Sequence, residues 1–180
     1  MDARKTAQEL QEIYKATEKK LTAIVYGMAG SWKTPLLCTG RRPILIFSFD
    51  VDGTLSIRDD IANSDGAIIP DARYEIEDVR DPTAFDLWDK NFTSMFNSGF
   101  LEQFGTIGFD SLTSMSAACL RACLKKKNKI KEDFIHRDIW GMQMRVMIEV
   151  VNRATRLSAD VIFTAHIEHT KNEESGAIIA

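Results

Sequence analysis

No stretch of this 180-residue chain approaches the roughly 20 consecutive apolar residues that a membrane-spanning helix requires. The N-terminus also lacks a signal-peptide core, so neither membrane insertion nor export is expected, and the reading is a cytoplasmic protein. Charge of one sign is not in excess either. Lys and Arg total 23 against 26 Asp and Glu, a net charge of −3, so nothing global favours nucleic acid or an anionic membrane. Such a partner would have to be held by a local patch. Cysteine is scarce: Cys38, Cys119 and Cys123 have no metal-ligand spacing and read as free thiols in a reducing compartment, the last two as small helix-packing groups. Internal repeats, low-complexity tracts and a second-domain boundary are missing too.

What remains is 44% hydrophobic and 27% charged, which suits a single α/β domain with a real core. Thr6 and Glu9 form a capping-box pattern ahead of Leu10, Ile13 and Tyr14, which predicts a helix over 7–20 preceding a domain over 21–180. "LTAIVYG" (21–27) reads as a strand ending in a turn. A helix follows "SWKTPLLC", with Pro35 tolerated in its first turn. "RRPILIFSFD" (41–50) is a nearly continuous apolar run, the mark of a strand buried on both faces of a parallel sheet. Strand, loop, helix and strand make a βαβ unit and point to an open α/β sheet.

Further along, "ARYEIEDV" (72–79) is expected as an edge strand. Thr83 is expected to cap a helix carrying Phe85, Trp88, Phe92 and Met95 that stops at Asn97-Ser98-Gly99. "FGTIGFD" (104–110) is a strand weakened by two glycines, and a helix starts near 114. Asp138 is expected to cap a helix with Ile139, Trp140, Met144, Met147, Ile148 and Val151 on its apolar side, Trp88 and Trp140 being core anchors. "DVIFTAH" (160–166) is the last strand. "GAIIA" reads as a strand just beginning, so the sheet either lacks later strands or pairs with another chain.

Two motifs compete for the chemistry. "GMAGSWKTP" follows a strand and opens a helix, the context in which a phosphate-binding loop works: backbone N–H groups point at phosphate oxygens. Gly27, Met28, Ala29, Gly30, Ser31, Trp32, Lys33 and Thr34 span the pattern, with Lys33 placed for the β- and γ-phosphates of ATP and Thr34 for Mg²⁺. "FDVDGTL" (49–55) instead resembles the signature of haloacid-dehalogenase-type phosphatases, which would make Asp50 a nucleophile and Asp52 an acid/base. That family also needs a later acidic pair on a strand end, and only sixteen residues follow Thr164, the one candidate for its Ser/Thr element.

Over nearly all of 21–180 the chain resembles RecA-type P-loop ATPases, particularly the compact phage recombination ATPases. The resemblance implies a mostly parallel central sheet flanked by helices, C-terminally abbreviated here. It also implies ATP and Mg²⁺ as ligands, a homo-oligomeric ring or filament, and work on single-stranded DNA in a bacterial or phage-infected cell. Its catalytic-strand element falls on "FDVDG", placing Asp52 as the base that orients water. "IGFDSLTSMS" is similar to the Walker B element, with Asp110 holding Mg²⁺ through water. "VIFTAHIEH" resembles the sensor strand, with His166 reporting on the γ-phosphate.

Three departures stand out. Trp32 replaces the glycine that lets backbone pass close to phosphate, so its side chain either lies outside the loop, against the base or a neighbouring subunit, or plugs an adjacent core gap. Asp52 is one methylene shorter than the usual glutamate, which favours binding over hydrolysis. A non-catalytic nucleotide-binding module therefore stays open beside the ATPase. Finally, Lys125, Lys126, Lys127, Lys129 and Lys131 lie where RecA-type proteins present a loop to DNA, yet they also read as a solvated helix end favoured by its dipole.

Overall fold

The computed structural model describes Thr6 and residues 20–132, 134–167, 170–171 and 178–179. The helix expected over 7–20 lies outside the described residues except for its last position. In chain order the elements are β1 (Thr22–Gly27), α1 (Lys33–Leu37), β2 (Ile44–Ser48), α2 (Arg58–Ala62) and β3 (Ile68–Asp71). There follow α3 (Ala84–Asn97), β4 (Thr106–Asp110), α4 (Leu112–Lys126), α5 (Arg137–Ala154) and β5 (Asp160–His166), with 3-10 turns at Gly53–Ile57 and Phe100–Gln103. Five parallel strands form one sheet in the order β1-β5-β4-β2-β3, and helices cover both faces. This is the α/β architecture of RecA-like P-loop proteins.

The apolar run at 44–48 behaves as its composition dictates. Every residue of β2 is buried, Leu45 and Phe47 toward α3 and α4, Ile44 and Ile46 toward α1 and α2. The α3 side is an aromatic core: Phe47 lies 5.5 Å from Phe109, 5.9 Å from Phe92 and 6.1 Å from Trp88, ring centre to ring centre. The glycines of "FGTIGFD" do not weaken β4; they let it sit at the centre. A Cβ on Gly108 would come within 3.0 Å of the Leu37 side chain, so its absence lets α1 lie close on the sheet.

Three expectations are corrected. Residues 72–79 form no strand, and the edge strand is Ile68–Asp71 instead. The physical reason is local: Arg73 folds back on Asp71, while Glu77 accepts from the Ala84 N–H at 3.0 Å and pairs with Arg121. Those bonds turn the segment into a strap across α3 and α4. Second, α5 begins one residue ahead of Asp138, with His136 at the cap and Asp138 in the first turn. Third, its buried face is Ile139, Gln143, Val150 and Ala154, so Trp140 is 47% exposed and Met144 and Ile148 face outward. Trp88, by contrast, is a core anchor at 0% exposure.

At the C-terminal end, Ile178–Ile179 pairs antiparallel with Thr170–Lys171, apart from the main sheet. All three cysteines are free and buried. Among the described residues no helix is long and apolar enough to cross a membrane. Phe47→Ala empties the middle of the aromatic core and should lower unfolding free energy by about 3–5 kcal/mol, read from urea denaturation.

Candidate functional site

Parallel strands in register bring their carboxyl ends to one edge. Gly27 of β1 lies opposite His166 of β5, and Ser48 of β2 lies opposite Asp110 of β4. The loop from Gly27 to Lys33 arches over that edge, and two residues in left-handed conformation shape it: Gly30 at φ 76° and Trp32 at φ 64°. The second is the position where the loop pattern calls for glycine, and the backbone conformation explains that preference. Trp32 keeps the turn nonetheless, with its side chain 77% exposed. The core-plug reading of Trp32 is thereby excluded.

Lys33 is buried and folds back into the loop. Its Nζ donates to Gly27 O at 3.0 Å, Met28 O at 2.8 Å and Ser31 Oγ at 3.4 Å. The ammonium thus stands at the centre of the arch, satisfied by oxygen acceptors. On the next residue, Thr34 Oγ1 donates to Asp110 Oδ2 at 2.7 Å, tying α1 to the end of β4. Thr164 of β5 donates to the other oxygen, Oδ1. Asp110 is only 1% exposed, and burial raises its pKa, with the charge of nearby Asp50 adding to the effect and the two threonine hydroxyls opposing it.

A second carboxylate gathers a separate set of donors. Asp50 Oδ1 accepts from Ser111 Oγ at 2.8 Å and from Ser114 Oγ, while Oδ2 lies 2.7 Å from His166 Nε2. An ionised carboxylate only accepts, so Nε2 carries the proton of that bond. Partial burial pushes the Asp50 pKa up, but the hydrogen bonds from Ser114, His166 and Ser111 outweigh it and hold the group below the usual 3.8. The His166 backbone N–H in turn donates to Thr113 Oγ1 at 2.9 Å. Three elements, the β2 end, the start of α4 and the β5 end, are joined here.

Between the loop and these strand ends lies a cleft of about 600 Å³, lined by Ala29 to Pro35, Asp50 to Gly53, Ser56 and His166. Lys33, Thr34, Asp52 and His166, expected at a common site, share that lining. Asp110 stands just behind it and reaches it through Thr34. Asp52 is exposed, in the left-handed region at φ 57°. Gly53 is required by close approach: a Cβ there would meet Asp50 Cβ and Ser48 Oγ at 3.1 Å.

The lysines at 125–131 are elsewhere. They begin at the far end of α4, a 15-residue helix that starts beside the cleft, and so lie about 20 Å from it. Sequence reasoning missed Ser111, Ser114 and Thr113, and it met Thr164 only as a phosphatase element rather than as a donor to Asp110. The hydroxyl-rich "DSLTS" after β4 is the available signal, although Ser111 also caps α4 by accepting from the Ser114 N–H. The phosphatase reading finds no support: both oxygens of Asp50 are engaged, which suits a structural acceptor rather than a nucleophile.

A parallel sheet with a phosphate-binding arch at a strand end, backed by a buried acid on the neighbouring strands, defines the P-loop nucleotide-binding class. A family model described as "AAA domain" matches residues 19–178, and the chain belongs to that family; it is a nucleotide-binding P-loop ATPase domain. Among solved structures, the chain is similar to one described as a prototypical ATPase from the type III secretion system of pathogenic bacteria. The TM-score is 0.54 at 14% identity, over 85% of this chain but 46% of that one. The likeness is one of fold. No curated protein matches the chain.

Because the Asp50 pKa is depressed on folding, its contribution to stability is present above about pH 4 and is lost as the pH falls through the lower folded value. The stability difference between wild type and Asp50→Asn should therefore be widest near neutrality. It should narrow as urea titrations are taken toward pH 3.

Proposed function

We propose that the cleft binds ATP with Mg²⁺ and hydrolyses it slowly, in a phage or prokaryotic DNA recombination or replication process. The observation that carries this reading is the 2.7 Å bond from Thr34 to Asp110 beside the Lys33 arch. A buried carboxylate met by hydroxyls suits a cation brought in by a ligand. Among the described residues no group of three His, Cys, Asp or Glu could hold a metal alone. A Mg²⁺ ion arriving with the phosphates would be held by Thr34 and Asp110. When bound, the ion neutralises charge on the transferred phosphoryl group.

The chain's own residues do the rest. Lys33 exchanges its loop carbonyls for the β- and γ-phosphate oxygens. The loop amides of Gly27 to Thr34 enclose the phosphates. Asp52 orients the attacking water, and its exposed position on the lining leaves it free to turn toward the γ-phosphate. His166, held by Asp50, reports phosphate loss to the segment after β5. In a ring or filament, an arginine from a neighbouring subunit would complete the charge neutralisation.

Isothermal titration with ATP, with and without Mg²⁺, and steady-state hydrolysis with and without single-stranded DNA test this reading. Lys33→Ala should abolish measurable binding. Asp52→Asn should leave binding within about twofold while lowering kcat about 100-fold or more. Full phosphate-ester hydrolysis by Lys33→Ala would overturn the assignment.

For single-stranded DNA the candidate surface narrows. Lys125, Lys126 and Lys129 are ion-paired with Asp81, Asp86 and Glu132. Lys127 and Lys131 are exposed, and Phe134, a few positions along the chain, is 82% exposed and offers a face for a base. Replacing both Lys127 and Lys131 with Ala should reduce the slope of log affinity against log salt by about 1.4, and an unchanged slope removes this surface.

A further inference from the structure

We infer that Trp32 forms the nucleobase subsite of the cleft, its indole stacking on the base of the bound nucleotide. Trp32 holds a left-handed backbone conformation that bulky side chains rarely adopt, and such outliers persist where a function over-determines them. The side chain gains nothing from burial, being 77% exposed, and among the described residues the indole has no ring contact and no hydrogen bond. It is nevertheless part of the cleft lining, where the other aromatic ring among the described residues, the His166 imidazole, is already bonded to Asp50.

The chemistry of the lining divides in two. Lys33 at the start of α1, Asp50 just past β2 and His166 at the end of β5 are charged or polar. Trp32, Pro35 and Val51 are apolar, and Val51 is itself well exposed. On α1 the buried residues are Lys33 and Leu37, while Trp32 and Leu36, one turn apart, are exposed. A ligand with a polyanionic end at Lys33 therefore leaves the arch past the indole. A nucleotide has that construction: its phosphates are polar, and its base presents a flat π-face that any base shares. The subsite rests on the assignment of phosphate to the Lys33 arch.

The test separates the two ends of the ligand. Full-length wild type, Trp32→Phe and Trp32→Ala are titrated with ATP and with inorganic tripolyphosphate, following heat and tryptophan fluorescence. Trp32→Ala should weaken ATP about 10- to 100-fold more than it weakens tripolyphosphate, and Trp32→Phe should restore most of the loss. ATP, but not tripolyphosphate, should quench wild-type fluorescence, and the quench should vanish in Trp32→Phe. Equal changes for both ligands would show that Trp32 acts through the loop backbone and would overturn the subsite. So would unchanged ATP affinity accompanied by a shift in sedimentation, which would assign the indole to another chain. Wild type that binds neither ligand would instead remove the phosphate assignment itself, and the subsite with it.

Discussion

A carboxylate removed from water and supplied with hydroxyls alone is the constraint on which the rest of this molecule turns. Asp110 sits at the end of the central strand β4, and it is held from α1 by Thr34 and from β5 by Thr164. Burial makes its charge costly, so the arrangement favours anything that brings positive charge to the neighbouring cleft. It also fixes the arch in space: α1 has only five residues and no side-chain cap, and its position is set by Leu37 packed under it and Thr34 bonded across it. Local helix propensity could not hold so short a segment in place.

The second acidic group divides the labour. Asp50 is satisfied three times over and ionises easily, whereas Asp110 is under-satisfied and resists ionisation. Two carboxylates on adjacent strands, with their acidities pushed in opposite directions by their surroundings, do not have interchangeable roles. Asp50 is a joint between elements. Its bond to His166 links β2 with β5 across β4, which lies between them in the sheet. Motion at either strand end is thus felt at the other.

Much of this was legible in the residues. Continuous apolar runs announced β2 and β5, the glycine-bearing turn after β1 announced the arch, and the order of acids along the chain matched the order of strand ends. What escaped reading was set by tertiary partners. Residues 72–79 have strand propensity, but Glu77 finds Arg121 and the first turn of α3, and those bonds override it. On α5, Ile139, Met147 and Val151 pack on the core as the apolar stripe implies, but Trp140, Met144 and Ile148 turn outward, while Gln143 is buried on a bond to Ser116. The Asp50 cluster was hidden for another reason: its hydroxyl donors come from the start of α4, 61 and 64 positions along the chain.

The sheet order has a temporal consequence. β2 finds β3 after one short crossover and β4 after one further helix and a 3-10 turn, so these pairings close the shorter loops. β1 is different: in this sheet it pairs with β5 alone, and Thr22 meets a residue 139 positions later. Closing so large a loop is slow and must follow the other pairings. On the ribosome β1 waits for its partner, and the arch it carries has no floor until residue 166 emerges. The capacity to grip a ligand therefore waits on β5, the same strand that completes the aromatic core by stacking Phe163 on Phe109 at 4.8 Å.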